Sequence, residues 1–105
     1  MAIDFDNTIC HNSGLPDFLP TESMEGAIEA IKYLVNKGLK IIIHTARPWS
    51  DYELVENFLN KHEIPFRRIV CGKLLARFYI DDRGVEYNGD WLEVLEKLDK
   101  KIGVQ

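Results

Sequence analysis

Asp4 and Asp6 flank Phe5 at the end of a short apolar run, in Ala2-Ile3-Asp4-Phe5-Asp6-Asn7-Thr8. Side chains alternate faces along a strand, so both carboxylates point one way while Phe5 turns into the core. Asn7 and Thr8 then break the strand into a turn. Two carboxylates held this close repel each other. The pair persists most easily with a cation between them or a proton on one of them. An isolated Asp-x-Asp is also an ordinary solvated strand end, so the partners decide. Three further positions supply them: Thr45 after the run Leu39 to Ile43, Lys73 after Arg68 to Cys71, and the double acid Asp81-Asp82 after Phe78-Tyr79-Ile80. Each stands where an apolar run ends.

Those runs alternate with helical patterns. Residues 9–22 are rich in turn formers and read as a loop, with His11 exposed and Leu15, Phe18 and Leu19 folding it back. Ser23 to Lys37 spaces Met24, Ala27, Ile28, Ile31, Leu34 and Val35 along one helical face, and Gly38 ends it. Leu39 to Ile43 is a nearly continuous apolar run, as expected of a parallel strand covered on both faces. Ser50-Asp51-Tyr52-Glu53 has the form of a capping box, opening a helix buried through Leu54, Val55, Phe58 and Leu59. Arg68 to Cys71 is a third strand and Phe78 to Ile80 a fourth. Asp90 caps a last helix buried through Trp91, Leu95, Leu98 and Ile102.

This alternation predicts an α/β fold, a three-layer Rossmann-like parallel sheet with helices on both faces. Right-handed crossovers give the strand order 3-2-1-4. The switch point then lies between strands one and four, where open sheets bind ligands at their carboxyl ends. Neighbouring strands are about 4.8 Å apart, so Asp4 and Asp81 would reach one small cation.

With 105 residues, 46% hydrophobic, the chain is expected to be one domain over 1–105. It shows no membrane-length apolar stretch and no signal-peptide pattern before Asp4. Two cysteines, Cys10 and Cys71, lack metal-ligand spacing and read as reduced thiols of a cytoplasmic protein. A net charge of −4 argues against a broad nucleic-acid surface.

The grouped residues suit phosphoryl transfer. Magnesium takes hard oxygen ligands from one or two carboxylates and leaves room for water and phosphate. One aspartate can attack phosphorus, and the other can give and take the proton. Lys73 and the metal would offset charge on the transferring oxygens, and the Thr45 hydroxyl would hold one of them.

Taken together, the four segments resemble the haloacid-dehalogenase-like hydrolase superfamily, and among it the small capless phosphatases. Asp4-Phe5-Asp6-Asn7-Thr8 is similar to the first motif and Ile43-His44-Thr45-Ala46-Arg47 to the second. Lys73, eight residues before Asp81, resembles the third, and Tyr79-Ile80-Asp81-Asp82-Arg83 the fourth. The likeness spans residues 2–83. It implies Asp4 as nucleophile and magnesium ligand, and Asp6 as general acid and base with its backbone carbonyl on the metal. Thr45 and Lys73 would bind the phosphoryl group, Asp81 would ligate Mg2+ and Asp82 would act through water. Asn7 departs from a commoner Gly, Leu74 from a frequent Pro and Arg77 from an acid.

Neither the 9–22 loop nor the stretch between Thr45 and Lys73 can hold a cap domain. The resemblance therefore implies an open site, shielded by a large substrate or by a neighbouring subunit through self-association. A phosphorylated small molecule or a phosphoprotein is the expected partner. Two other classes stay open: a receiver-like signalling domain, although its acid pair and phosphoacceptor lie on different strands, and a catalytically idle phosphate-binding module. Singly, Thr45 is a strand-end hydroxyl, Lys73 a surface lysine and residues 81–84 a turn. Arg47 either meets a substrate anion or pairs with a nearby acid. His44, Trp49 and Trp91 are assigned to packing, and nothing near Cys10 suggests an activated thiol.

Overall fold

The computed structural model describes residues 1–13, 19–76 and 78–102. Leu15, Phe18 and Arg77 lie outside them, as does the side chain of Ile102. Strand β1 (Ala2–Asp4) leads into a two-stranded ribbon, β2 (Cys10–Asn12) and β3 (Pro20–Ser23). Then follow α1 (Ala27–Asn36), β4 (Ile42–His44), α2 (Tyr52–Lys61), β5 (Arg68–Val70) and α3 (Trp91–Ile102).

The main sheet is parallel, in the order β1-β4-β5. Its register aligns Ile3, Ile43 and Ile69 across the three strands, and Asp4, His44 and Val70 in the next row. The isoleucine row is buried, and each such side chain stabilises the fold by roughly 1.5–3 kcal/mol. Phe5, fully buried, packs its ring edge-to-face on Phe58 of α2 with centroids 5.5 Å apart. From α1, Ala27, Ala30, Ile31 and Leu34 enter the same core, and Trp91 and Val94 enter it from α3.

Helix α1 starts at Ala27 rather than Ser23, because Pro20–Ser23 pairs with β2 instead. The expected 9–22 loop is thus partly an antiparallel ribbon. Gly26 opens the helix at φ 81°, and a Cβ there would stand 3.3 Å from the Trp91 Cβ. Glycine therefore satisfies both the left-handed turn and the close approach of α3. At its other end α1 closes as a Schellman motif: Leu39 N–H bonds to Leu34 O at 3.2 Å and Gly38 N–H to Val35 O at 2.9 Å. Leu39 is consumed by this cap, so β4 begins only at Ile42. Helix α2 ends the same way, with Glu63 at φ 55° where glycine is usual.

Two further sequence expectations differ from the structure. Ser50 and Glu53 form no capping box, since residues Trp49–Asp51 are a 3-10 turn that runs directly into α2 without a side-chain cap. The fourth strand is not formed either: Phe78, Tyr79 and Ile80 are exposed and join no ladder. The Tyr79 hydroxyl instead donates to Leu74 O and accepts from Ala76 N, curling the segment on itself. Three residues gain too little from one edge ladder to outweigh such local bonds. In place of the four-strand order 3-2-1-4, the described residues show three parallel strands.

Candidate active site

The site grows out of the turn after β1. Phe5 O accepts hydrogen bonds from the N–H groups of Thr8, Ile9 and Cys10, at 3.3, 3.0 and 3.3 Å. Asn7 takes up φ 59° to make this turn, a conformation Asn tolerates better than most residues. Thr8 Oγ1 donates to Asp4 Oδ2 at 3.4 Å, and Trp91 Nε1 ties the turn to α3 by donating to Thr8 O at 3.1 Å. Trp91 therefore secures the turn as well as filling the core.

The second wall comes from the ends of β4 and β5. Parallel pairing continues past the ladder, with Thr45 N–H on Val70 O, Lys73 N–H on Thr45 O and Gly72 N–H on Arg47 O, all at 2.9–3.0 Å. Gly72 turns at φ 80° to allow this. Those bonds deliver Lys73 beside the acid pair. Its Nζ lies 3.9 Å from Asp4 Oδ1 and 4.4 Å from the centre of the Tyr79 ring.

Asp6 is held most firmly. Arg47 forks onto it, with Nε to Oδ2 at 2.9 Å and Nη2 to Oδ1 at 2.7 Å. Asn12 Nδ2 on β2 adds a contact to Oδ1 at 3.4 Å, and Thr45 Oγ1 one to Oδ2 at 3.5 Å. Arg47 Nη1 also reaches Asp51 Oδ2 at 3.4 Å, just before α2. Burial opposes the charge on Arg47, but its bonds to Asp6 and Asp51 outweigh this and raise its pKa above the ordinary value.

Asp4, Asp6, Asn12, Arg47, Lys73 and Tyr79 face a cleft of about 570 Å³, in the range typical of small-ligand sites. Burial pushes the Asp4 carboxyl above its ordinary pKa, although Lys73 and His44 pull it down. His44 is shifted below its ordinary value by burial first, then by Lys73, against the attraction of Asp4. Burial likewise pushes the Cys10 thiol up to about 12, leaving it an inert core residue.

Of the residues singled out by sequence, Asp4, Asp6, Thr45 and Lys73 come together. Thr45 is 1% exposed and stands behind Asp6, its hydroxyl accepting Arg47 N–H at 3.1 Å. Asp81 and Asp82 are exposed and do not line the cleft; Asp81 Oδ1 accepts Arg83 N–H at 2.7 Å in a local turn. The arginine resolves its two readings toward an acid pair. Asn12 and Asp51 had no signal of spacing, because only the folded ribbon and the 3-10 turn bring them near. Trp49, assigned to packing, is exposed and stacks on Tyr52, with ring centroids 6.2 Å apart.

Among the described residues, no three His, Cys, Asp or Glu side chains converge on a point that would hold a metal ion. The donor chemistry nevertheless suits magnesium, which needs only one or two carboxylates beside water and phosphate oxygens. Asp4 and Asp6 offer hard oxygens of that kind at the cleft.

No family model and no curated protein matches the chain. A structural-genomics target from Vibrio cholerae, known from a crystal structure, is similar with a TM-score of 0.67 and 25% identity. The match covers 93% of this chain and 97% of that one. This likeness concerns the overall fold and brings no activity with it.

Proposed function

We propose that the chain is a magnesium-dependent phosphatase of the haloacid-dehalogenase-like superfamily, hydrolysing a phosphate monoester through an aspartyl-phosphate. One observation carries the reading. Two aspartates of β1 and its turn share a cleft with a lysine brought in by a different strand, and each acid has its own cation. A capless Rossmann-like core of that superfamily belongs to the same reading.

Asp4 is the nucleophile. It is the more accessible acid, its side chain 39% exposed against 25% for Asp6, and it has no arginine fork: Thr8 donates to it at 3.4 Å and the Lys73 ammonium stands 3.9 Å away. Its oxygen attacks phosphorus as the bond to the leaving oxygen breaks, and that oxygen takes a proton from Asp6. Water then attacks the aspartyl-phosphate and returns a proton to Asp6, so that phosphate leaves and both acids are restored. Lys73 Nζ, 3.9 Å from Asp4, would meet the equatorial oxygens, while Thr45 holds Asp6 from behind. Asp4 and the Asp6 backbone carbonyl would hold magnesium, which supplies positive charge to the transferring group. Asp81 and Asp82 enter this metal set from the sequence resemblance.

The cleft volume favours a small phosphorylated molecule, with a phosphoprotein as the larger alternative. Both described cysteines are free and buried, which fits a reducing cytoplasm. No helix among the described residues is long and apolar enough to cross a membrane. Phosphate release from a panel of phosphoesters, with magnesium and with EDTA, tests the reading. Turnover stopped by EDTA and by Asp4→Asn is expected; hydrolysis that survives either change sinks it. The position of Asp81 and Asp82 outside the cleft favours one second reading, a phosphate-binding module without turnover. That module would bind phosphate yet release none from any ester.

A further inference from the structure

Arg47 has no part in the phosphoryl transfer described above, yet it is the most heavily committed side chain at the site. It is only 9% exposed, its guanidinium lies 5.9 Å from the centre of the Phe5 ring, and two of its nitrogens fork onto Asp6. A third nitrogen reaches Asp51. The arginine is thereby held by three groups: the Phe5 ring in the core, the Asp6 carboxylate in the turn after β1 and the Asp51 carboxylate at the entry to α2.

A carboxylate has four acceptor positions, two on each oxygen. The fork fills the facing position of each oxygen, as planar guanidinium–carboxylate pairs do. The outer position on Oδ2 is met by Thr45, which is buried. Among the described residues the outer position on Oδ1 is met by Asn12 alone, at 3.4 Å, and Asn12 lines the cleft. Of the four positions, this one combines a long contact with an opening toward the reacting groups. It is the only one where a proton can sit without displacing the arginine or entering the core.

The geometry points to Arg47 as a positioning residue that turns Asp6 so that Oδ1, and not Oδ2, exchanges the proton with the leaving oxygen and with water. Asp51 braces the arginine, and Asn12 covers Oδ1 until substrate displaces it. This role rests on the phosphatase reading. It differs from substrate binding, because both oxygens of Asp6 already occupy the arginine fork. It differs from charge supply too, since a lysine would keep the charge and lose the planar two-point grip.

The test compares wild type, Arg47→Lys, Arg47→Gln and Asp51→Asn on two esters, with thermal unfolding to check that each variant is folded. An alkyl phosphate needs its leaving oxygen protonated, whereas p-nitrophenyl phosphate releases a stable anion. With Arg47→Lys and Arg47→Gln, kcat on the alkyl ester should fall about 100-fold or more, the usual worth of a placed acid. KM should hold, and the first-turnover burst of p-nitrophenolate should change little, because that step needs no proton from Asp6, while the later hydrolysis slows. Asp51→Asn should move the same ratio by a smaller factor, and it carries the test if the arginine variants do not fold. Equal losses of the first transfer on both esters, a rise in KM with kcat retained, or full rescue by lysine would overturn the positioning role. Wild-type turnover of neither ester would overturn the phosphatase reading itself, and the role with it.

Discussion

The two halves of the cleft wall are built differently. On one side, residues 4–8, 44–47 and 71–73 are joined by hydrogen bonds between segments far apart in the chain, such as Arg47 to Asp6 and Trp91 to Thr8. On the other, Leu75, Ala76 and Tyr79 belong to a stretch whose described hydrogen bonds stay local, from Tyr79 to Leu74 and Ala76 and, just beyond the cleft, from Asp81 to Arg83. The first half places its charges by packing. The second carries Leu74, Leu75, Phe78 and Ile80 in solvent. Side chains that do chemistry are fixed where the core fixes the backbone beneath them, and apolar character alone does not ensure that.

The sharpest way to break this contrast is to remove the shared foundation. Phe5→Ala should destabilise the fold by about 3–5 kcal/mol in denaturant unfolding, because Phe5 is fully buried under both acids. Ile80→Ser, by contrast, should stay within about 0.5 kcal/mol of wild type, as expected for an exposed position. A large loss at Ile80 would mean that residues 78–80 are packed in solution, as the unformed fourth strand requires.

A smaller effect separates the tether from the core. Trp91→Phe keeps most of the ring but removes the donor to Thr8 O, and should cost about 1 kcal/mol. Smaller again is the gain at the end of α2. Glu63→Gly relieves a left-handed backbone that a side chain resists, and should stabilise by about 0.5–1 kcal/mol.

The smallest expected effect is a pH slope. His44 is held below its ordinary pKa of 6.5, so the unfolded chain takes up a proton more readily than the folded one. Its contribution is complete above pH 6.5 and is lost as pH falls through the lower folded value. His44→Gln should flatten that part of the stability profile. An unchanged slope would place His44 in a more solvated setting than β4 gives it.

The same contrast explains what could be read from the chain. Strand ends announced themselves because Asp4-x-Asp6, Thr45 and Lys73 each follow a run that the core must bury. Gly38 marked the end of α1 for a backbone reason visible in one residue. Phe78-Tyr79-Ile80 has the same apolar signature as the strands that formed, but a pattern cannot show whether a ladder outweighs a tyrosine hydroxyl. Ser50 and Glu53 had the spacing of a capping box, and the 3-10 turn before Tyr52 removed the geometry it needs. Arg47 was visible as a charge near a site. Its fork depends on the height of Asp6 above β4, which only the turn at Asn7 sets.

In the proposed mechanism Asp4 attacks phosphorus. Asp6→Asn should let the first transfer proceed on p-nitrophenyl phosphate and slow the hydrolysis that follows. Acid-quenched Asp6→Asn protein, digested and mapped by mass spectrometry after reaction with magnesium present, should carry one phosphoryl group on Asp4, and Asp6→Asn combined with Asp4→Asn should carry none. A phosphoryl group on any other residue, or its persistence in the double variant, would contradict the account.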